Sequence, residues 1–193
     1  MGKVGLFFGS FNPIHEGHLS IVRYLLEEGY CESIRLIVSP QNPWKKNREL
    51  LEEQKRLELV QNAIANDERM EVCDVEFGMP RPSYTYQTLR KLRTDEPGMD
   101  FALIIGGDNL QKFQEWKNFQ EILSSHTLFV YPRPGTETTH LPVGDIVLVN
   151  APQTAISSTE IRRKIAEGES IVGEVPEIVR KQIETYYKNQ DLF

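Results

Sequence analysis

The sequence is poor in cysteine, in net positive charge and in long apolar runs. Its 193 residues include two cysteines, Cys31 and Cys73, which lie far apart and form no Cys or Cys/His pair, so a disulfide scaffold and a structural zinc site lack support. Lysine and arginine number 22 against 28 acidic residues, which gives a net charge of −6. This balance disfavours a general binder of nucleic acid or anionic membranes, so we expect any anion site to be local.

No apolar run approaches the length that spans a membrane. The first run, residues 4–8, is too short for a signal-peptide core and leads directly into Gly9. The content of 39% hydrophobic and 26% charged residues is typical of a globular chain, and no repeat, low-complexity segment or linker interrupts it. We therefore expect a cytoplasmic protein with a single domain over residues 1–193.

Short apolar runs alternate with segments of helical periodicity. Strands are predicted at residues 3–8, 33–38, 71–75, 101–105, 126–131 and 146–149. Helices are predicted over the apolar stripes within residues 19–26, 50–64, 85–93, 113–123, 158–166 and 177–187, with Asn47 capping the second and a break near Trp116 in the fourth. This alternation predicts an α/β fold: a Rossmann-like parallel sheet with helices on both faces.

Four loop segments follow predicted strands and carry glycine or polar residues. They are residues 9–18, 40–46, 106–109 and 156–162. Since open parallel sheets bind ligands beyond the carboxyl ends of their strands, we expect these segments to meet at one site.

The strongest motif is residues 9–18 (GSFNPIHEGH), between the first strand and the first helix. Its glycines allow the backbone to approach a phosphate, a helix N-terminus presents free N–H groups, and His15 and His18 can donate hydrogen bonds to phosphoryl oxygens. One histidine at a helix start is more often a cap or a surface residue, but a pair around Gly17 favours a phosphate site. A metal pair would need a third ligand, which the sequence does not show.

Two further segments also have ordinary structural explanations. In residues 155–163 (AISSTEIRR), Ser157 and Glu160 form a capping box, yet Arg162 opposes the helix dipole unless an anion binds there. In residues 105–109 (IGGDN), Asp108 can accept hydrogen bonds from ribose hydroxyls, although Gly-Gly-Asp is also a common turn.

Residues 9–18 resemble the GxFxPxHxGH signature of the HxGH nucleotidyltransferase superfamily. Over residues 3–188 the chain resembles the bacterial nicotinate-nucleotide adenylyltransferases. Residues 155–162 resemble their ISSTxIR motif, residues 106–108 their GxD motif, residues 131–135 their RRPG or KRPG segment, and residues 82–89 their PSYTxxTL segment. The last segment separates this family from the phosphopantetheine adenylyltransferases, so it is the specificity signal.

The resemblance implies transfer of the adenylyl group of ATP to nicotinate mononucleotide, with Mg²⁺ carried by ATP rather than by protein side chains. The catalytic residues that it implies are His15, His18, Lys46 and Arg162. The implied ATP-binding residues are Gly9, Ser10, Phe11, Gly17, Gly106, Asp108, Ser157, Ser158 and Thr159. The implied residues for nicotinate mononucleotide are Tyr84, Thr85, Trp116, Lys117 and Arg133.

The chain departs from the family pattern at two places. Lys117 stands where many members have Tyr, and residues 43–46 (PWKK) stand where PPHK is common, so that Lys46 is chosen over Lys45 as the triphosphate contact. Two alternatives stay open: an adenylyltransferase for nicotinamide mononucleotide or phosphopantetheine, and a nucleotide-binding module without turnover. The expected partners are the small-molecule substrates, with no nucleic acid or membrane, and the oligomeric state is open.

Overall fold

The structure is a computed structural model that describes residues 2–40, 50–136 and 141–188. The strands in these ranges are β1 (Val4–Gly9), β2 (Ser33–Val38), β3 (Met70–Cys73), β4 (Phe101–Gly106), β5 (Leu128–Tyr131) and β6 (Ile146–Leu148). The α-helices are α1 (Glu16–Glu27), α2 (Glu53–Ile64), α3 (Thr85–Asp95), α4 (Gly107–Gln111), α5 (Phe119–Ser125), α6 (Ser158–Glu167) and α7 (Glu177–Lys188). Two 3₁₀ turns, Val75–Gly78 and Phe113–Glu115, complete this set.

The strands form one parallel sheet in the order β3-β2-β1-β4-β5-β6. Strand β1 lies at its centre, where Val4 pairs with Ser33 of β2 on one side and with Phe101 of β4 on the other. The direction of the strand order therefore reverses between β1 and β4, which opens a crevice at the carboxyl ends of these two strands. The predicted Rossmann-like α/β fold is confirmed.

The core lies in two layers, one on each face of the sheet. Alternate residues of β1 enter different layers: Phe7 packs with apolar residues of α1, α2, α6 and α7, whereas Leu6 packs with those of α3 and α5. Because helices cover both faces, both sides of each central strand are buried. This explains why the central strands are continuous apolar runs in the sequence rather than alternating patterns.

The predicted element boundaries were wrong at several places. Helix α2 follows Glu52 as its N-cap residue, so the predicted cap at Asn47 was wrong; Asn47 itself lies outside the described residues. The fourth predicted helix consists of α4, a 3₁₀ turn and α5, separated around Trp116 as expected. Strand β5 begins at Leu128 rather than at residue 126, because His126 ends α5.

Within the described ranges, no helix is long and apolar enough to cross a membrane.

Candidate active site

A cavity lined by several of the predicted site residues opens at the crevice between β1 and β4. We call it the crevice cavity; its volume is about 450 Å³. Its wall combines the ends of β1 and β4 with two loop segments, and includes Gly9, Ser10, Gly106, Asn109, Glu76, Ser83, Tyr84, Thr85, Trp116 and Lys117. Segments that are distant in sequence thus meet at the carboxyl edge of the sheet, as the strand pattern predicted.

The turn between β1 and α1 is compact because a phenylalanine folds back over it. Phe11 is 1% exposed and has a left-handed φ of 42°, a conformation that costs a non-glycine residue about 1–3 kcal/mol and must be offset by surrounding contacts. A Cβ atom at Gly9 would lie 2.8 Å from the Phe11 ring. Gly9 is therefore needed for the close approach of this ring to the end of β1.

Asn12, at the centre of this turn, connects it to three distant parts of the chain. Its side-chain oxygen accepts hydrogen bonds from the backbone N–H of Leu51 at 3.0 Å and from the hydroxyl of Tyr187 at 2.7 Å. Its carbonyl oxygen accepts a hydrogen bond from Arg162 at 2.8 Å. These contacts hold the turn from α6, from α7 and from the segment before α2.

Arg56 connects the ends of β1 and β2. Its guanidinium is 1% exposed and donates hydrogen bonds to the carbonyl oxygens of Ser10 at 2.5 Å, Leu51 at 2.8 Å, Ser39 at 2.9 Å and Pro40 at 3.2 Å. Burial away from water lowers the pKa of this guanidinium. Four carbonyl acceptors compensate for that desolvation. The same hydrogen bonds fix the backbone that follows β1 and β2, at the edge of the sheet where the site lies.

His15 and His18 lie at the start of α1 with their rings stacked at 3.6 Å between centroids. The backbone N–H of His15 donates to Nδ1 of His18 at 3.3 Å. Since Nδ1 accepts this hydrogen bond, the neutral His18 ring carries its proton on Nε2 and can donate there.

His15 is 5% exposed, and no hydrogen-bond partner reaches its Nδ1 atom from residues 2–40, 50–136 or 141–188. Burial, with a smaller contribution from the positive charge of Arg133, lowers the pKa of His15 to about 4. The imidazole is therefore uncharged at neutral pH. A Cβ atom at Gly17 would lie 3.0 Å from this Nδ1 atom and 2.5 Å from the hydroxyl of Thr154, so the space beside His15 exists only because residue 17 is glycine.

Helix α6 contacts the turn between β1 and α1 through two predicted site residues. Arg162 donates to the carbonyl of Asn12, as described above, and the hydroxyl of Ser158 donates to the carbonyl of Pro13 at 3.0 Å. Both side chains thus lie beside the predicted phosphate-binding motif.

The other residues of this helix start have different environments. The side chain of Ser157 caps α6 by accepting from the N–H of Glu160 at 3.2 Å, which is one of the two bonds of the predicted capping box. The carboxylate of Glu160 bonds to Arg163. Thr159 is exposed. Arg163 forms ion pairs with Glu160, Glu167 and Glu169, as expected for a solvated neighbour.

Arg133, which was predicted to bind the acceptor nucleotide, does not line the crevice cavity. It lines a smaller cavity together with His15 and His18, so its role stays a prediction. Its Nε atom is 3.8 Å from a carboxylate oxygen of Asp108, and its Nη2 atom donates to the hydroxyl of Tyr131 at 3.2 Å. The structure therefore groups Arg133 with the histidines and Asp108.

The four other residues predicted to bind the acceptor meet in the wall of the crevice cavity. Thr85 begins α3, after Tyr84 as N-cap residue, and Trp116 packs on Phe113 with 5.0 Å between ring centroids. The ammonium of Lys117, an exposed residue, lies 3.8 Å from the centroid of the Tyr84 ring, a cation–π geometry.

Lys46, which was predicted to contact the triphosphate, lies outside the described residues, as does Lys45. Among residues 2–40, 50–136 and 141–188, no group of three or more His, Cys, Asp or Glu side chains could hold a metal ion.

Comparison with known proteins identifies the family. The model of the cytidylyltransferase-like family matches residues 6–164. A protein of Cytophaga hutchinsonii, named "Probable nicotinate-nucleotide adenylyltransferase", is 44% identical over 192 residues, which are 97% of this chain and 99% of that protein. A protein of Azobacteroides pseudotrichonymphae with the same name is 43% identical over 183 residues, 94% of this chain and 96% of the relative. The chain belongs to the nicotinate-nucleotide adenylyltransferase family.

The fold of this adenylyltransferase agrees with a solved structure. The nicotinic acid mononucleotide adenylyltransferase of Plasmodium falciparum, in complex with NaAD, superimposes with a TM-score of 0.82 at 18% identity, covering 98% of this chain and 99% of that one.

Three buried residues with polar groups near the site were not predicted from the sequence: Arg56, Glu76 and Tyr187. A signal existed for Arg56, because it occupies the buried stripe of α2 with Leu59 and Val60, where a charged residue is unusual. Glu76 and Tyr187 belong to no motif, and their hydrogen-bond partners are known only from the structure.

Proposed function

We propose that this adenylyltransferase transfers the adenylyl group of ATP to nicotinate mononucleotide in the crevice between β1 and β4, giving deamido-NAD and pyrophosphate. The observation that carries the proposal is the crevice cavity itself. One wall is the glycine turn that leads to His15 and His18, and the other is the segment with Tyr84, Thr85 and Trp116. A nucleotide and a pyridine acceptor can therefore face each other across it.

The ATP side consists of two histidines and three positively charged residues. His15 and His18 would donate hydrogen bonds to phosphoryl oxygens, aided by the N-terminus of α1. Arg162, which already donates to the turn through Asn12, would add positive charge beside the phosphates, and Lys46 would reach the triphosphate from the segment before α2. The position of Arg133 beside His15 and Asp108 favours a role at the nucleotide rather than at the acceptor.

The reaction would be an in-line displacement at the α-phosphorus. A phosphate oxygen of the acceptor forms the new P–O bond while the bond to pyrophosphate breaks. Because that phosphate is already an anion, no general base is needed, and catalysis consists of alignment and stabilisation of the charge on the transferring group. A divalent ion, for which we propose Mg²⁺, would be held by the triphosphate oxygens of ATP.

The acceptor side favours a carboxylate on the pyridine ring. Thr85 and the backbone N–H groups at the start of α3 are donors, and the helix N-terminus favours negative charge. A carboxamide would turn its NH₂ group toward these donors and leave them unpaired. Unpaired buried donors cost about 1–3 kcal/mol each, so two of them give a preference for nicotinate of about tenfold to more than a thousandfold.

Pyrophosphate release on mixing the enzyme with ATP and each acceptor tests the proposal. We expect kcat/KM to be highest for nicotinate mononucleotide, lower for nicotinamide mononucleotide, and lowest for phosphopantetheine. Equal values for the two pyridine nucleotides would reject nicotinate selectivity and leave adenylyl transfer standing. Binding of ATP without pyrophosphate release from any acceptor would instead indicate a nucleotide-binding module.

A further inference from the structure

Glu76 is a buried carboxylate in the wall of the crevice cavity. It lies in the 3₁₀ turn Val75–Gly78 and is 3% exposed. Each of its oxygens accepts a hydrogen bond from a hydroxyl group: Oε2 from Ser83 at 2.9 Å and Oε1 from Thr88 at 2.8 Å. Over the described parts of the chain it forms no ion pair, so these two hydroxyls are the groups that stabilise it.

The two hydroxyl donors lie on either side of the predicted acceptor residues. Ser83 precedes Tyr84 and Thr85, and Thr88 follows them in the first turn of α3. Ser83 is 5% exposed and Thr88 is 0% exposed, so neither hydroxyl can rely on bulk water for a partner. Glu76 thus holds both ends of the short segment that contributes Tyr84 and Thr85 to the cavity wall.

The start of α3 is not capped by the side chain of its N-cap residue. The carbonyl of this residue, Tyr84, accepts from the N–H groups of Gln87 and Thr88. The orientation of the first-turn N–H groups toward the cavity therefore depends on how the segment is held from outside the helix. The carboxylate of Glu76 fixes this segment by accepting hydrogen bonds from Ser83 and Thr88.

We propose that Glu76 is a positioning residue for acceptor recognition: by binding the hydroxyls of Ser83 and Thr88, it fixes Tyr84 and Thr85 against the pyridine ring of the acceptor. The proposal rests on the proposed function, since it concerns the same acceptor side. It assigns to Glu76 no contact with the substrate.

A direct charge effect is the competing explanation. The ring nitrogen of a pyridine mononucleotide is quaternary and positively charged, so a buried anion nearby could attract it. The geometry favours positioning, because both carboxylate oxygens are already directed at the hydroxyls of the wall. The amide of Glu76→Gln can accept from one hydroxyl and donate to the other. This variant therefore keeps a hydrogen bond to each hydroxyl and removes the negative charge.

The test compares Glu76→Ala and Glu76→Gln by steady-state kinetics, with KM measured separately for nicotinate mononucleotide and for ATP. For Glu76→Ala we expect the acceptor KM to rise by about tenfold or more, because two charge-assisted hydrogen bonds are lost. The ATP KM should stay within about twofold, and the preference for nicotinate over nicotinamide mononucleotide should fall by about tenfold. Glu76→Gln should stay within about threefold of the wild type on all three measures.

Two threonines of α3 offer a matched pair in case Glu76→Ala does not fold. Thr88→Val removes one of the two hydroxyls from Glu76 at nearly constant volume, and should raise the acceptor KM in the same direction as Glu76→Ala. Thr94→Val removes a hydroxyl that donates to the carbonyl of Arg90 at the exposed end of the helix, and should change neither KM.

Three results would overturn the positioning role: an unchanged acceptor KM in folded Glu76→Ala or in Thr88→Val, an equal rise in both KM values, or damage in Glu76→Gln as large as in Glu76→Ala. Failure of the proposed function is recognised separately, because the wild type would then release no pyrophosphate. The variants would in that case be compared by equilibrium binding of nicotinate mononucleotide, which Glu76→Ala must still weaken by about tenfold.

Discussion

The hydroxyl of Tyr187 donates a 2.7 Å hydrogen bond to the side-chain oxygen of Asn12, which lies 175 residues earlier in the chain. Both residues are buried, Tyr187 at 4% and Asn12 at 3% exposure. The last helix thus contacts the turn that presents His15 and His18. Tyr187, which belongs to no sequence motif, therefore stabilises the turn that carries the predicted phosphate-binding motif.

We predict that Tyr187→Phe lowers the melting temperature by about 2–4 °C, because loss of one buried hydrogen bond costs about 1 kcal/mol in a chain of this size. The matched control is Tyr186→Phe, which removes a hydroxyl that donates to Glu58 in an exposed bond and accepts from Gln182 at 3.2 Å. Thermal unfolding should leave the control within about 1 °C of the wild type. Equal shifts in the two variants would contradict the structural role of the buried bond.

We predict that His18→Ala remains folded and loses turnover by roughly a few hundredfold, the usual cost of removing one donor from a charge-stabilising site. His18→Gln places a side-chain NH₂ near the position of Nε2, whereas His18→Asn places one near Nδ1. Because the structure makes Nε2 the donor, His18→Gln should turn over at least about tenfold faster than His18→Ala. His18→Asn should be no faster than His18→Ala. A folded His18→Ala enzyme with turnover near the wild type would show that the motif does not bind the reacting phosphates.

We predict that Gly17→Ala impairs activity and stability together. The added methyl group would lie 2.5 Å from the hydroxyl of Thr154 and 3.0 Å from Nδ1 of His15, so Thr154 has to move and the His15 ring has to shift by a few tenths of an ångström. Such overpacking costs about 1–3 kcal/mol. Gly98→Ala is the matched control, since an added methyl group there meets nothing within 4 Å. Urea unfolding and pyrophosphate release measure both effects, and a Gly17→Ala enzyme that matches Gly98→Ala in both would contradict the close packing.

The low pKa of His15 predicts a loss of stability in mild acid. The folded pKa is about 4 because of burial and of Arg133, whereas an unfolded histidine titrates near its usual value of about 6.5. Between these values the unfolded chain binds more protons, so stability rises with pH. The contribution is complete above about pH 6.5 and is lost as the pH falls to about 4, with a total of about 3 kcal/mol.

Urea unfolding of the wild type and of His15→Gln across this pH range isolates the effect, because other groups titrate alike in both proteins. The wild type should lose more stability than the variant as the pH falls from about 6.5 to about 4. Bound ATP should raise the pKa of His15, since an anion beside the ring favours its protonated form. Direct titration of the His15 ring near pH 6.5 without ligand would contradict the burial that the structure shows.

The sequence alone determined the fold class and the family, and it predicted the residues of the candidate site. Apolar periodicity and glycine turns operate within windows of 10–20 residues, so the alternation of strands and helices was visible and predicted the sheet. The segments around His15, Thr85, Asp108 and Arg162 were found for the same reason, because each motif is contiguous. For the segments around His15, Asp108 and Arg162, a meeting at one edge was expected from the rule for parallel strands, without knowledge of any contact.

Only the tertiary structure decided how these segments are held. The buried bonds of Asn12 to Tyr187, of Arg56 to the ends of β1 and β2, and of Glu76 to Ser83 and Thr88 join residues that no local pattern connects. The place of Arg133 beside His15, rather than in the wall of the crevice cavity, belongs with them. A polar side chain can be buried wherever packing brings it a partner, so its position depends on strand order and helix docking over the whole chain.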